Sequence, residues 1–208
     1  MFLKKSAKLV KEGEKFNSLY IVQHGSLKSY KHGIDGKEQV SGLYLPGDLI
    51  GLEALDQSRH FSSVKALEGS SLCEVSYSSL QKLSHQIPSL QQNFLRIMAI
   101  EILKIQEQRA CLTKKSAESR YATYLIYLSK RNQQLGFSAS ELVLSMSRTD
   151  IASYLNMTIE TISRLSTRLQ RENIIISDKD HISLIDIEEL YKIAGVVIEK
   201  VQTAAVAQ

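Results

Sequence analysis

Residues 147–169, SRTDIASYLNMTIETISRLSTRL, hold two helical periods separated by Asn-Met-Thr, and this pairing constrains the chain more than any other segment. Ser147 stands where a helix N-cap is needed, and Asp150 follows three residues later in a capping-box-like start. Ile151, Ala152 and Leu155 then form one apolar stripe. Asn156 falls where the first helix must stop within a residue or two, and after glycine, asparagine best tolerates the left-handed backbone of such a stop. Thr158 is a suitable cap for the second helix, whose buried positions are Ile162, Leu165 and Leu169. The small Ala152 permits a close crossing, and Ile162 fills the angle between the helices. Two helices joined by so short a turn form a helix-turn-helix.

The second helix leaves Glu160, Ser163, Arg164, Thr167 and Arg168 on its outer face. The N-terminal end of such a helix reaches base edges when it lies in the major groove. A carboxylate there repels phosphate unless it has a specific task, and accepting from a cytosine amino group is one. Arg164 lies one turn beyond Glu160 on the same face and can grip both acceptors of guanine. The competing reading is an ordinary helical hairpin with a solvated Glu160–Arg164 salt bridge. The predicted hairpin that follows, "IIIS" at 174–177 and "HISLI" at 181–185 around "DKD", supports a winged helix-turn-helix. A last helix is expected from about Asp186, with a frayed tail from Thr203.

The first 76 residues have a different texture. Short runs such as SLYIVQHGSLKSY and EQVSGLYL are rich in Val, Ile, Leu and Tyr and are punctuated by glycines, with a hairpin loop at 33–38 and a tight corner at 45–51. Evenly spaced short strands predict a small antiparallel barrel or roll. After Pro88 a long segment runs without Gly or Pro, and Leu95, Met98, Ile102, Ile105 and Leu112 form an a/d seam broken at Arg109. That helix either packs on its own roll or pairs with its copy. Further apolar residues off the seam (Phe94, Ile97, Ile100, Leu103) suit a helix that does both and so builds a homodimer. A further helix covers roughly 117–134.

The 208 residues suffice for two small domains with real cores. No apolar run reaches the roughly 20 residues of a membrane helix, and the N-terminus lacks a signal-peptide core, so a cytoplasmic protein with no membrane partner is expected. The net charge of +4 hints at a polyanion only weakly, because residues 117–208 carry 10 Lys+Arg against 11 Asp+Glu. Cys73 and Cys111 lie far apart, form neither a disulfide framework nor a metal-ligand pair, and read as buried small hydrophobes. No metal-ligand cluster, nucleophile elbow or phosphate loop is present, so neither a catalytic residue, a metal nor a cofactor is expected, and an enzyme is disfavoured.

MSRTDIASYLNMTIETISRL strongly resembles the DNA-binding motif of the CRP/FNR superfamily. LYIVQHGSLKSY, LYLPGDLIGLEAL and ALEGSSLCEV resemble that superfamily's effector roll, and KKSAESRYATYLIYLSKR resembles the helix after its dimer helix. The resemblance covers roughly 5–195 and is nearest the FNR branch. It implies an α+β chain: an antiparallel β-roll of the cyclic-nucleotide-binding, cupin-like type over 1–87, a dimerisation helix over 88–114 and a winged helix-turn-helix over 115–208. It implies base reading by Glu160, Ser163 and Arg164, and phosphate contact by Arg148, Thr149, Thr161 and Arg168. The partner implied is double-stranded DNA bound by a homodimer. Ile159, apolar as in the FNR branch, favours a palindrome of TTGAT-type half-sites, and loop 34–38 matches a surface that in the family can touch RNA polymerase.

The departures bear on the signal. Cys73 matches the roll cysteine of the oxygen-sensing proteins, but a cubane cluster needs about four thiolates and the sequence holds two cysteines. The cyclic-nucleotide signature, Gly-Glu followed by Arg-Ser or Arg-Thr, is broken: Leu52 separates Gly51 from Glu53, and Arg59 precedes His60 and Phe61. Haem through His24, His32, His60 or His85 is not favoured, since isolated histidines are more often hydrogen-bonded surface residues. The alternative kept open is a dimeric sensor module whose DNA binding depends on an unidentified effector.

Overall fold

A computed structural model describes residues 1–112 and 116–196, without the side chains at 107, 108, 110 and 111. Eight short strands come first: β1 (Phe2–Leu3), β2 (Lys8–Val10), β3 (Ser18–His24), β4 (Leu27–His32), β5 (Glu38–Tyr44), β6 (Leu49–Ile50), β7 (Ser63–Ala66) and β8 (Ser70–Ser76). They pair antiparallel in two four-stranded sheets, ordered β1-β8-β3-β6 and β2-β7-β4-β5. The inner faces meet in a core of Leu3, Val10, Val22, Leu27, Ile50, Val64, Ala66 and Leu72. Gly25 turns β3 into β4 with a positive φ of 82°, and a Cβ there would lie 2.6 Å from the Gly69 carbonyl oxygen, so the turn requires glycine.

Alternation along β8 places Leu72 inside and turns Cys73 outward beside its cross-strand partner Ile21. Cys73 is therefore exposed, not buried as its residue type suggests. Cys111 has a side chain outside the described residues.

Helix α1 (Tyr77–Gln86) follows β8 directly. The sequence shows no sign of it, because it buries no residue fully and so lacks a strong apolar stripe. It ends where Ile87 turns extended (φ −126°, ψ 93°), as the residue before Pro88 must. Pro88 opens α2 (Pro88–Leu112), and α3 (Ala117–Gln134) is capped by the Ser116 side chain, which accepts from the Ser119 amide.

The C-terminal part holds β9 (Glu141–Val143), α4 (Arg148–Tyr154), α5 (Ile159–Arg171), β10 (Ile175–Asp178), β11 (His181–Leu184) and α6 (Ile187–Ala194). The expected two-stranded wing is a three-stranded sheet, β10-β11-β9. Three residues of β9 are too few to display alternation, so pairing with β11 creates this strand. The core around Leu125, Leu142, Ile151, Leu155, Ile162, Leu169, Ile182 and Leu190 also takes in Val40, Leu43 and Leu67 of the roll. The tail from Thr203 lies outside the described residues.

Candidate nucleic-acid interface

The turn between α4 and α5 follows from its residues. The Ser147 hydroxyl accepts from the Asp150 amide at 3.1 Å, and Ile151, Ala152 and Leu155 are buried. The reciprocal half of the capping box is absent because the Asp150 carboxylate is taken by Lys28 of the roll. Asn156 adopts φ 54°. The Met157 amide then reaches back to the Ala152 carbonyl at 2.8 Å, and the Asn156 amide to that of Ser153 at 3.2 Å. This is the paired closure of a Schellman motif. Arg120 of α3, which the sequence does not single out, donates through Nε to the Leu155 carbonyl at 3.1 Å and so satisfies an open end of α4. Thr158 caps α5, its hydroxyl accepting from the Thr161 amide at 3.2 Å.

Ile162, Leu165 and Leu169 face inward, whereas Glu160, Arg164, Thr167 and Arg168 are exposed and Ser163 is half-buried. Glu160 and Arg164 form no salt bridge among the described residues. The Glu160 carboxylate folds back on its own amide and the Thr158 hydroxyl, which hold its pKa below the usual glutamate range. Arg164 is left extended to solvent without an ion-pair partner among the described residues. Arg148 and Thr149 open α4 and are exposed, and the Thr161 hydroxyl lies 3.1 Å from that of Thr158. Arg168 differs from the phosphate-facing residue that the resemblance implies. Its Nη1 donates to Glu118 at 3.0 Å and its Nε to Glu172 at 2.9 Å, so a phosphate must compete with two carboxylates.

The roll holds a cavity of about 460 Å³ against α2, lined by Tyr44, Asp48, Glu53, Phe61, Glu101 and Lys104 among others. Three carboxylates face it. Lys104 is bound between Asp48 (2.9 Å) and Glu101 (2.6 Å), and these bonds outweigh burial and raise its pKa. Arg109, the other lining cation, has a partner of its own. Arg59 donates to the Gly13 carbonyl outside this cavity. His60, at the position of broken signature, is buried with Nδ1 3.3 Å from Glu53. These residues do not fit the phosphate of a cyclic nucleotide, which needs an arginine clamp. Among the described residues no three His, Cys, Asp or Glu side chains gather as metal ligands.

The seam of α2 is open for most of its length. Leu95, Ile102 and Ile105 are 58%, 54% and 53% exposed, and Ile97, Ile100 and Leu103 are exposed beside them. Phe94 packs under the roll. Leu112, placed at the end of the seam by its spacing, is instead partly covered by the C-terminal core of its own chain.

A strand roll, a long helix with an unpaired apolar face and a winged helix-turn-helix with a solvent-facing second helix define a two-domain DNA-binding regulator. Known proteins agree. Residues 1–86 match the cyclic nucleotide-binding domain family, and residues 119–193 the Crp-like helix-turn-helix domain family. The chain is 39% identical over 197 residues to the transcriptional activator protein Anr of Pseudomonas protegens, covering 95% of this chain and 81% of that protein. It is 41% identical over 194 residues to the fumarate and nitrate reduction regulatory protein of Vibrio cholerae, covering 93% and 78%. The structure of FixK2 from Bradyrhizobium japonicum superposes with a TM-score of 0.84 at 29% identity, covering 95% of this chain and 97% of that one. The chain belongs to the CRP/FNR family of DNA-binding transcription regulators. It is not an enzyme, and no described helix is long and apolar enough to cross a membrane.

Proposed function

We propose that the protein acts as a homodimer, paired through α2, on a palindrome of FNR-like, TTGAT-type half-sites. The observation that carries this reading is the exposed Arg164, without an ion-pair partner among the described residues, one turn from Glu160 on a helix whose N-terminal end is open. Arg164 grips guanine bidentately, Glu160 accepts from cytosine on the opposite strand, and Ser163 completes the base-facing row. Arg148, Thr149 and Thr161 sit at the two helix starts, where amides and hydroxyls meet phosphate. Arg168 reaches phosphate only by leaving Glu118 or Glu172. A two-fold dimer presents its α5 helices to successive major grooves, about 34 Å apart, so half-sites lie about one turn apart. The exposed loop around Ile34 is the surface offered to RNA polymerase. Competition binding of a labelled palindrome against random DNA tests the reading. Tight binding at one-turn spacing, lost when half a turn is inserted, is expected. Equal competition by random DNA would leave a sensor module without sequence recognition.

A further inference from the structure

The DNA-binding part is not merely strung after the roll; two clusters of buried charge join them. The first centres on Asp48, at the corner before β6 and only 4% exposed. Its Oδ1 accepts from Lys104 Nζ of α2 at 2.9 Å and from Arg131 Nη2 of α3 at 2.7 Å, while its Oδ2 accepts from the Leu45 amide at 2.8 Å. Arg131 Nη2 also donates to the Pro46 carbonyl at 3.1 Å. One carboxylate thus holds the roll, the dimer helix and the first helix of the DNA-binding part together.

The second cluster centres on Lys28 of β4, 3% exposed. Lys8, Lys65 and Lys28 lie in register across β2, β7 and β4, a row of like charges on one sheet face. Glu38 binds Lys28 at 2.9 Å and Lys65 at 2.6 Å, and Asp150 of α4 supplies the remaining anion to Lys28. Beside it the Ser153 hydroxyl accepts from the Val40 amide at 2.9 Å and donates to the Glu38 carbonyl at 3.2 Å, so α4 closes the free edge of β5. A buried charge that loses its partner is strongly destabilising where it stands, so the sheet face and α4 hold each other in place.

We propose that Asp48 and Lys28 are positioning residues for DNA binding: the two clamps lock the roll and the helix-turn-helix into one body, and so let a dimer engage both half-sites at once. The docked face uses α3 and the Asp150–Tyr154 side of α4, and it leaves Glu160, Arg164 and Thr167 open. Docking therefore orients the reading helix and does not cover it. With a stiff connection, binding at the second half-site is intramolecular at high effective concentration; a loose connection dilutes it. Neither Asp48 nor Lys28 touches DNA in this arrangement.

The proposal rests on the palindrome reading above, and full-chain Asp48→Asn and Asp150→Asn test the two clamps independently. Each variant is expected to lose at least about tenfold in affinity for the full palindrome while its affinity for an isolated half-site changes less than about twofold. Small-angle scattering of each variant without DNA should show a larger radius of gyration than wild type. A variant that fails to fold loses half-site binding as well, which is why both variants are made. Unchanged palindrome affinity in both, an equal loss on palindrome and half-site in a variant that keeps the wild-type melting transition, or a gain in affinity would overturn the proposal. Should wild-type protein distinguish no palindrome, the palindrome reading fails, and scattering alone decides the clamps: an unchanged radius sinks them, an increase supports them.

Discussion

At the residue scale, the sharpest division of labour lies on α5. Arg164→Ala should cost about 1–3 kcal/mol per half-site and relax preference at the guanine. Glu160→Ala should raise affinity for random DNA, by removing a charge that repels phosphate, while discrimination at one base pair falls. Binding across single-base variants at two salt concentrations separates the two effects. A uniform loss for Glu160→Ala would make its contact with the Thr158 hydroxyl, and not base reading, its role. Asn156 gives a test that needs no DNA. Its φ of 54° costs an alanine about 1–2 kcal/mol and a glycine no steric strain. Thermal unfolding should therefore place Asn156→Ala below wild type and Asn156→Gly near it, and an alanine variant as stable as wild type would refute the strain argument.

At the element scale, α2 carries the question of assembly. Six of its apolar side chains between Leu95 and Ile105 are exposed in one chain, an arrangement that water penalises unless a second copy covers it. Two glutamates facing each other across a dimer axis would bury like charge, at a cost of several kcal/mol. Ile105→Glu should sediment as a monomer at micromolar concentration where wild type is a dimer. A monomeric wild type would refute the seam. Because Leu112 is partly covered by its own core, its truncation should lower stability more than dimerisation.

At the scale of the whole molecule, the docked domains carry a pH signature. Burial pushes the Glu38 carboxyl up, but hydrogen bonds from Lys65 and Lys28 overcome this and hold its pKa below the usual glutamate value. A depressed folded pKa means stabilisation that is fully present above the unfolded value, about 4.3, and lost as pH falls through the folded one. Melting temperature should therefore fall more steeply below about pH 4.3 in wild type than in Glu38→Gln. Parallel curves would show that the Glu38 carboxylate contributes nothing to stability through Lys28 and Lys65. Net charge does not explain DNA binding at this scale, since the DNA-binding half is close to neutral. The proposed reading rests instead on the local placement of the exposed Arg148 and Arg164.

The helix-turn-helix was legible residue by residue because its signals are local: caps at Ser147 and Thr158, a left-handed stop at Asn156, and stripes ending in Leu155 and Leu169. The same holds for α2, α3 and the roll's short strands, where period and punctuation suffice. Helix α1 and strand β9 were invisible, since one buries little and the other is too short to show a period. The exposure of Cys73, the capture of Arg168 by Glu118, and the burial of Lys28 were likewise beyond sequence reasoning. Each depends on which strand face or distant carboxylate a side chain meets: Glu118 is 50 residues from Arg168, and Asp150 is 122 from Lys28. Local propensity and pattern are decided within a few residues and are written in the chain. Pairing of charges across domains is a Coulomb contact of a few ångströms, and only the tertiary structure sets which groups come that close.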